Sequence, residues 1–451
     1  MHGGIILKQT KKIIDNIYYK HITYDNIRSM WEIVRKTCKN KKAIYKYTVH
    51  QNTTNYILYQ KLLNCNYEPM PYRLFLIFEP KERLVMSQTI SDKIINHFVA
   101  NYYLLPYLEN KLIDSNVATR KGKGSNYADK LINDYINRIR MKNPKKDIYV
   151  LKIDISKYFY TIPHDILMDK LSKKIKDENV LRIIKTILTE TDKPYINKTI
   201  NKLNKKYHTN IPLYKKGVGL SIGAMTSQFL AIFYLNDLDH YIKETLGCKY
   251  YIRYMDDFII IDNNKERLKE VWELIRIELN KLKLSINPKS SIINLKSGIV
   301  FLGYKYIIDN DKYKIVYRKK TITKIRKKLK ILKKHDLVKY YKSYASYYGY
   351  LNKIKIYDRR FTMNILEKYD YFRKKYPKEI IFIRDARLYK TYGIDVKTLQ
   401  KIFNIKDNAF DVYNIRSIFD YLKSIDSEYV VIDASLNVIE IKSDNKLNNS
   451  I

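Results

Sequence analysis

Three carboxylates in this sequence are placed where they could do chemistry together. Asp256 and Asp257 stand side by side in Tyr251–Asp262, YIRYMDDFIIID, and Asp154 closes the apolar stretch within Val150–Tyr160, VLKIDISKYFY. β-Branched and aromatic runs on both sides of a short turn spell a hairpin, which puts the acid pair at its tip. Carboxylates brought together from the ends of separate strands offer hard oxygen ligands, which suit Mg²⁺ ions that share their shells with phosphate oxygens. The chemistry expected of such a site is nucleotidyl transfer. An Asp-Asp pair alone would not decide the matter, because Asp favours turns for conformational reasons.

The elements around the acids decide more. Between the two acid strands lies Gly217–Asp239, GVGLSIGAMTSQFLAIFYLNDLD, and after the hairpin come Leu284–Ser290, LSINPKS, and Val300–Tyr304, VFLGY. In this order the series resembles the palm of reverse transcriptases, and the resemblance extends from about residue 70 to about residue 357. It implies an α+β right-hand polymerase with fingers, a palm built on an antiparallel sheet and a helical thumb. It also implies an RNA template, a DNA or RNA primer and dNTPs as partners, with two Mg²⁺ ions for which Mn²⁺ could substitute.

Residue by residue, the resemblance makes Asp154, Asp256 and Asp257 both catalytic and metal-binding, with the backbone carbonyl of Ile155 as a further metal contact. In RLFLIFEPKERLVMS, Arg83, with Lys81 as second choice, matches the basic side chain laid against the incoming triphosphate. Phe159 falls where a bulky aromatic would collide with a ribose 2′-hydroxyl, which favours deoxynucleotides. Lys289 matches a lysine that could protonate the departing pyrophosphate, and Phe301, Leu302, Gly303 and Tyr304 match the primer grip. A basic run with two glycines, DSNVATRKGKGSNY over Asp114–Tyr127, resembles a segment found between fingers and palm in some bacterial members.

The middle motif reads Ile222-Gly223, then Ala-Met-Thr, then Ser227-Gln228, where many members have Gln-Gly-x-x-x-Ser-Pro. The Ile-Gly-x-x-x-Ser-Gln form is similar to that of reverse transcriptases of diversity-generating retroelements. It implies that these four residues border the nucleotide, that copying is error-prone opposite template adenines, and that a small accessory variability protein is a partner. Replacing an amide by apolar Ile222 removes one polar group that could hydrogen-bond near the base pair. Two alternatives stand beside this one: an antiphage defence reverse transcriptase with untemplated synthesis, and a maturase-like RNA-binding scaffold. Three intact acids weigh against the scaffold.

Composition agrees with a polyanionic partner. The 451 residues carry 86 Lys or Arg against 46 Asp or Glu, a net charge of +40, and 45% hydrophobic residues, enough for sizeable cores. The 44 tyrosines include some that could stack on bases, although most are expected in cores and sheets. Cys38, Cys65 and Cys248 form no metal or disulfide pattern. No segment nears the length of a membrane span. The expected setting is soluble and cytoplasmic, in a bacterial or phage-encoded system.

Along the chain, residues 1–70 are expected as an N-terminal helical extension with apolar spacing at Ile27, Met30, Trp31 and Val34, and residues 71–305 as fingers and palm. Residues 306–371 are expected as a basic helical thumb, since residues 311–360 hold 18 Lys or Arg against 3 Asp or Glu, a net of +15. SYASYYGYLN resembles a thumb motif of the same enzymes. Residues 372–451 lose this charge, with 6 basic against 8 acidic residues over 401–451, and alternate strand and helix patterns as a small α/β domain. That domain weakly resembles the N-terminal domain of the MutS family. The Gly-Asp of the MutS segment is here Ala386-Arg387, and its mismatch-reading Phe and Glu are Leu388 and Lys390. A docking role is expected of it.

If the basic surface neutralises 6 to 10 phosphates, affinity for a template–primer duplex falls roughly 10³- to 10⁵-fold between 50 and 200 mM salt. Fluorescence anisotropy across that range measures the slope.

Overall fold

Alternation of side chains along two short strand sequences organises the first half of the molecule. The computed structural model describes residues 17–78, 81–309, 312–336, 339–340, 342–344, 346–347, 365–385, 388–403, 409–432 and 438–442. The chain divides into two compact units, one reaching Leu302 and including Tyr306–Lys314, the other comprising Gly303–Lys305 and the chain from Ile315.

In the first unit, Arg73–Ile77 (β1) and Arg83–Ser87 (β2) pair antiparallel, with Phe75 opposite Val85. Leu74, Leu84 and Met86 face inward onto Ile196 and Ile200 of the helix Pro194–Tyr207. Arg73, Phe75, Ile77 and Arg83 face out. A four-stranded antiparallel sheet follows, built from Tyr149–Asp154 (β3), Tyr251–Tyr254 (β4), Asp257–Asp262 (β5) and Ser291–Asn294 (β6) in the order β4-β5-β3-β6. On β3, Leu151 and Ile153 turn into the core while Lys152 and Asp154 share the opposite face, the period-two division of a strand.

The core side of this sheet is covered by apolar helices. Met225–Tyr234 contributes Phe229, Leu230, Ile232 and Tyr234, and Lys265–Lys281 contributes Leu268, Val271, Ile275 and Leu279. The N-terminal helices join the same core: Ile27, Met30, Trp31 and Val34 of Tyr24–Thr37 are all buried there, as their spacing predicts. Several of the largest buried rings in the first unit are tyrosines, among them Tyr103, Tyr158, Tyr234 and Tyr251.

Ile299–Phe301 (β7), Tyr304–Asp309 (β8) and Lys312–Tyr317 (β9) form a three-stranded sheet in that order. The helical thumb is expected from residue 306, but residues 306–309 and Lys312–Tyr317 are strand, because YKYIID and KYKIVY alternate with period two, and the basic helix begins only at Lys319. That helix, Lys319–His335, buries Ile325 and Leu329 and exposes most of its lysines. Much of the SYASYYGYLN segment lies outside the described residues.

The second unit also contains Ile380–Asp385 (β10), Leu388–Lys390 (β11), Ala409–Asp411 (β12), Tyr429–Ile432 (β13) and Val438–Lys442 (β14), ordered β12-β11-β10-β13-β14 with β10 and β13 parallel. Alternate residues of β10 and β13 pack in opposite directions. Phe382 and Val431 meet Leu399, Ile418 and Phe419 on one side, while Ile381, Ile383 and Val430 meet Tyr369 and Phe372 on the other. The helix Ile365–Lys375 runs across the boundary expected at residue 372. Ala386 and Arg387 lie outside the described residues.

One buried ion pair ties the catalytic-type hairpin to its helices. Arg253 of β4 and Asp239 of Asn236–His240 both have fully buried side chains and meet at 2.5 Å and 2.7 Å through two guanidinium nitrogens. Tyr251 Oη donates to the same carboxylate at 2.6 Å, and Arg253 also reaches the carbonyls of Ile232 and Met255. Asp239→Asn leaves the guanidinium uncompensated, so it is expected to destabilise the protein by roughly 3–5 kcal/mol. Arg267→Met, at the partly exposed pair with Asp262, is expected to cost less than about 1 kcal/mol. Denaturant unfolding of the two variants beside the parent measures the contrast.

Candidate active site

The turn between β4 and β5 is as short as a hairpin allows. Tyr254 pairs with Asp257, leaving only Met255 and Asp256 between the strands, and Met255 is left-handed at φ +58°. A non-glycine residue there is strained by about 1–2 kcal/mol. The Arg253 guanidinium donates to the Met255 carbonyl at 2.9 Å and holds that peptide in place. On the other side of the turn the Ile155 amide donates to the Asp256 carbonyl at 3.2 Å. Asp154 lies directly opposite Asp257 in the β3–β5 register. All three acids therefore gather at one edge of the sheet.

The LSINPKS segment closes that edge. Ser156 and Asn287 donate backbone N–H groups to the Ser285 and Asp154 carbonyls, each at 2.8 Å. The Asn287 amide donates to Asp154 Oδ2 at 2.8 Å, and Ser290 Oγ accepts from the Asp154 amide at 3.1 Å. Lys289 is exposed; the Asn287 side chain occupies its backbone N–H at 3.1 Å.

Burial raises the Asp256 carboxyl above its usual range, and the neighbouring Asp154 charge adds to the effect, while Arg83 and Arg253 oppose it. Asp257 is pushed up to about 6, again by burial first, with Lys152 lowering it and the two other acids raising it. Lys152 Nζ lies 3.2 Å from Asp257 Oδ2. Asp257 Oδ1 is buried without a hydrogen-bond partner. These donors suit a hard divalent cation: they are carboxylates and a carbonyl, one oxygen is orphaned, and a cation would relieve the repulsion. Among the described residues no three acidic, His or Cys side chains form a ready-made metal cage. Mg²⁺ ordinarily binds through one or two carboxylates with substrate phosphates and water completing its shell, so a cage is not required.

The remaining expected residues fall into three places. The Ile222 carbonyl accepts from the Met86 N–H of β2 at 2.9 Å, and Gly223 follows at φ +121°. A Cβ on Gly223 would stand 3.1 Å from the Met86 carbonyl oxygen, so backbone approaches backbone there. Ser227 is buried and shares a 3.0 Å hydrogen bond with Ser221, which commits its hydroxyl to closing the loop; Gln228 is half-buried. Arg83 lies on β2, near enough to act on Asp256, and Lys81 is exposed before it. Phe159 is half-buried beside Tyr158, and its carbonyl accepts from Leu220 at 2.7 Å. Phe301 and Tyr304 are buried around a turn in which Leu302 and Gly303 both have positive φ, +47° and +90°. That pattern belongs to the tightest hairpins.

Sequence reasoning missed Lys152, Asp239, Arg253 and Asn287. Lys152 and Arg253 did carry a signal, a basic residue inside a short apolar strand. Nothing in the sequence pointed to their partners.

Residues 79–306 match the family model described as reverse transcriptase (RNA-dependent DNA polymerase). Among curated proteins the chain is similar to Protein YkfC of Escherichia coli, 23% identical over 295 residues that cover 57% of this chain and 72% of that protein. It is also similar to the putative COX1/OXI3 intron 2 protein of Saccharomyces cerevisiae, 28% identical over 95 residues, 21% of this chain and 10% of the relative. Similar solved structures include telomerase from Candida albicans with a fragment of telomeric RNA, at 15% identity and a TM-score of 0.40, covering 57% of this chain and 46% of that one. Another is apo telomerase from Candida tropicalis, at 16% identity and a TM-score of 0.39, covering 55% of each chain. The chain thus spans a tenth of the yeast relative and less than half of the Candida albicans chain.

The raised Asp257 carboxyl has a consequence for stability without metal. Between its usual value and about 6 the folded state holds the proton more tightly than the unfolded chain, so stability falls as pH rises through that window. The full penalty above it is up to roughly 3 kcal/mol. Asp257→Asn removes the ionisation, so in chelator the variant is expected to melt above the parent at pH 7.5 and to lose that advantage near pH 4. Thermal melts at the two pH values measure it.

Proposed function

Because the chain belongs to the reverse transcriptase family, we propose that it is an RNA-directed DNA polymerase that extends a primer on an RNA template by two-metal nucleotidyl transfer. The observation that carries this reading is the meeting of Asp154, Asp256 and Asp257 at one sheet edge, with Asp256 and Asp257 raised and one Asp257 oxygen unpartnered. A scaffold that only bound RNA would have no use for mutually repelling, half-buried acids.

Asp154 and Asp256 would hold the metal ions, with the Ile155 carbonyl as a further oxygen donor and Asp257 in a looser role. Mg²⁺ bound there, or Mn²⁺ in its place, would supply the charge that lowers the pKa of a primer 3′-hydroxyl and offsets the charge of the departing phosphates. Arg83 receives the triphosphate, supported by its position on β2 and its influence on Asp256. The Phe159 ring is only half-buried, which leaves an edge free to reject a ribose 2′-hydroxyl. Lys289 is exposed and unburdened for proton delivery to pyrophosphate. The Leu302-Gly303 turn positions the primer end.

The finer reading is an error-prone enzyme of a diversity-generating retroelement. Its support is Ile222, an apolar side chain at the loop that abuts β2 at Met86. The C-terminal α/β unit is read as a docking module, since Leu388 and Lys390 stand where the MutS resemblance would need Phe and Glu for mismatch reading.

The test is primer extension on a defined RNA template with Mg²⁺ and either dNTPs or NTPs, followed by sequencing of the product. Templated cDNA that disappears in Asp256→Asn is the expected result. Errors concentrated opposite template adenine support the retroelement reading, and faithful cDNA removes it. Product that matches no supplied RNA points to a defence enzyme instead, and absence of synthesis with tight, salt-sensitive RNA binding overturns the polymerase reading.

A further inference from the structure

Lys152 is the only residue of β3 that turns a positive charge toward the acid edge, and its geometry exceeds what a solvated lysine needs. It shares a sheet face with Asp154, two residues on, and Asp257 lies diagonally across on β5. Diagonal neighbours on one face stand about 7–8 Å apart, a gap that a long side chain closes. The Lys152 side chain is three-quarters covered, and its ammonium makes two contacts at once. It lies 3.2 Å from Asp257 Oδ2 and donates to the Val300 carbonyl at 2.7 Å. It also stands 5.9 Å from the centre of the Phe301 ring. Val300 belongs to β7, outside the palm sheet, and precedes the Leu302-Gly303 turn by two residues.

We propose that Lys152 is a positioning residue: it pins Asp257 by Oδ2 so that Oδ1 is presented to the metal side, and it ties that carboxylate to β7. The orphaned state of Oδ1 is the mark of this arrangement. A carboxylate held by one oxygen has a fixed rotation, and a ligand with fixed rotation loses less freedom when it binds an ion. The second contact means that a shift of β7 moves the same ammonium that orients Asp257. Metal site and primer-side strand are thereby registered to one another through one side chain. The proposal rests on the polymerase reading for the meaning of β7, and on geometry alone for the orientation of Asp257.

The experiment compares the full chain with Lys152→Met and Lys152→Arg, reading Mn²⁺ affinity by calorimetry and primer extension as a function of Mg²⁺. Removing a positive charge beside a cation site should tighten cation binding if charge alone matters. Positioning gives the opposite sign: Lys152→Met weakens Mn²⁺ binding and lowers kcat, each by about 10- to 100-fold, the range of orienting partners at metal sites. It should also raise the Mg²⁺ needed for half-maximal rate, leave the KM for dNTP within about threefold, and be largely rescued by Lys152→Arg. Unchanged or tighter Mn²⁺ binding in Lys152→Met overturns the proposal. If the parent chain makes no product, the polymerase reading fails, and the calorimetric sign still decides the orientation of Asp257. Should Lys152→Met not fold, Lys152→Gln takes its place with the same expected signs.

Discussion

The arrangement of this site depends on a guanidinium buried where no water can reach it. Arg253 neutralises Asp239, but its geometric work is done on carbonyls: it holds Ile232 of the central helix and Met255 of the hairpin turn in one fork. Met255 occupies a backbone conformation that glycine would adopt more easily. With glycine the turn would be relaxed and free; with methionine it is strained, and Arg253 selects the strained state. A lysine could not do this, since the fork needs several donors in fixed directions. The position of Asp256 thus follows from an ion pair that never touches a substrate.

A second constraint runs against stability. Gathering three carboxylates at a half-covered sheet edge raises Asp256 and Asp257 and leaves an oxygen of Asp257 without a partner. The surroundings relieve part of this cost, with Asn287 on Asp154 and Lys152 on Asp257. They do not relieve all of it. The residual repulsion is stored energy that a bound cation would release, and the deep core of β3, β5 and the covering helices is what allows the protein to tolerate it.

How much of this was legible in the sequence differs by kind of feature. The strands carrying the acids could be read because their side chains alternate, and the N-terminal helix because Ile27, Met30, Trp31 and Val34 recur at helical spacing. Residues 306–309 and Lys312–Tyr317, expected within the helical thumb, are strand: the basic charge that begins there is no guide to period, whereas YKYIID and KYKIVY alternate with period two. The convergence of Asp154 on Asp257 was inferable from motif order. The roles of Lys152, Arg253 and Asn287 were not, since each depends on a partner far along the chain, such as Val300 for Lys152. A hydroxyl can also mislead: Ser227 sits in the motif that borders the expected nucleotide, yet its bond is to Ser221 inside the protein.

The contact between Gly223 and Met86 has a mechanical consequence. The loop bearing Ile222 lies close against β2: one backbone hydrogen bond joins them, and a methyl group on Gly223 would stand 3.1 Å from the Met86 carbonyl oxygen, which would have to give by a few tenths of an ångström. Any substitution that moves β2 by a few tenths of an ångström must therefore move the loop with it. The place of the loop is thus set beyond the loop itself, by the inward residues Leu74, Leu84 and Met86 and by the helix they rest on. Ordinary packing substitutions there can shift it without altering any residue of the loop.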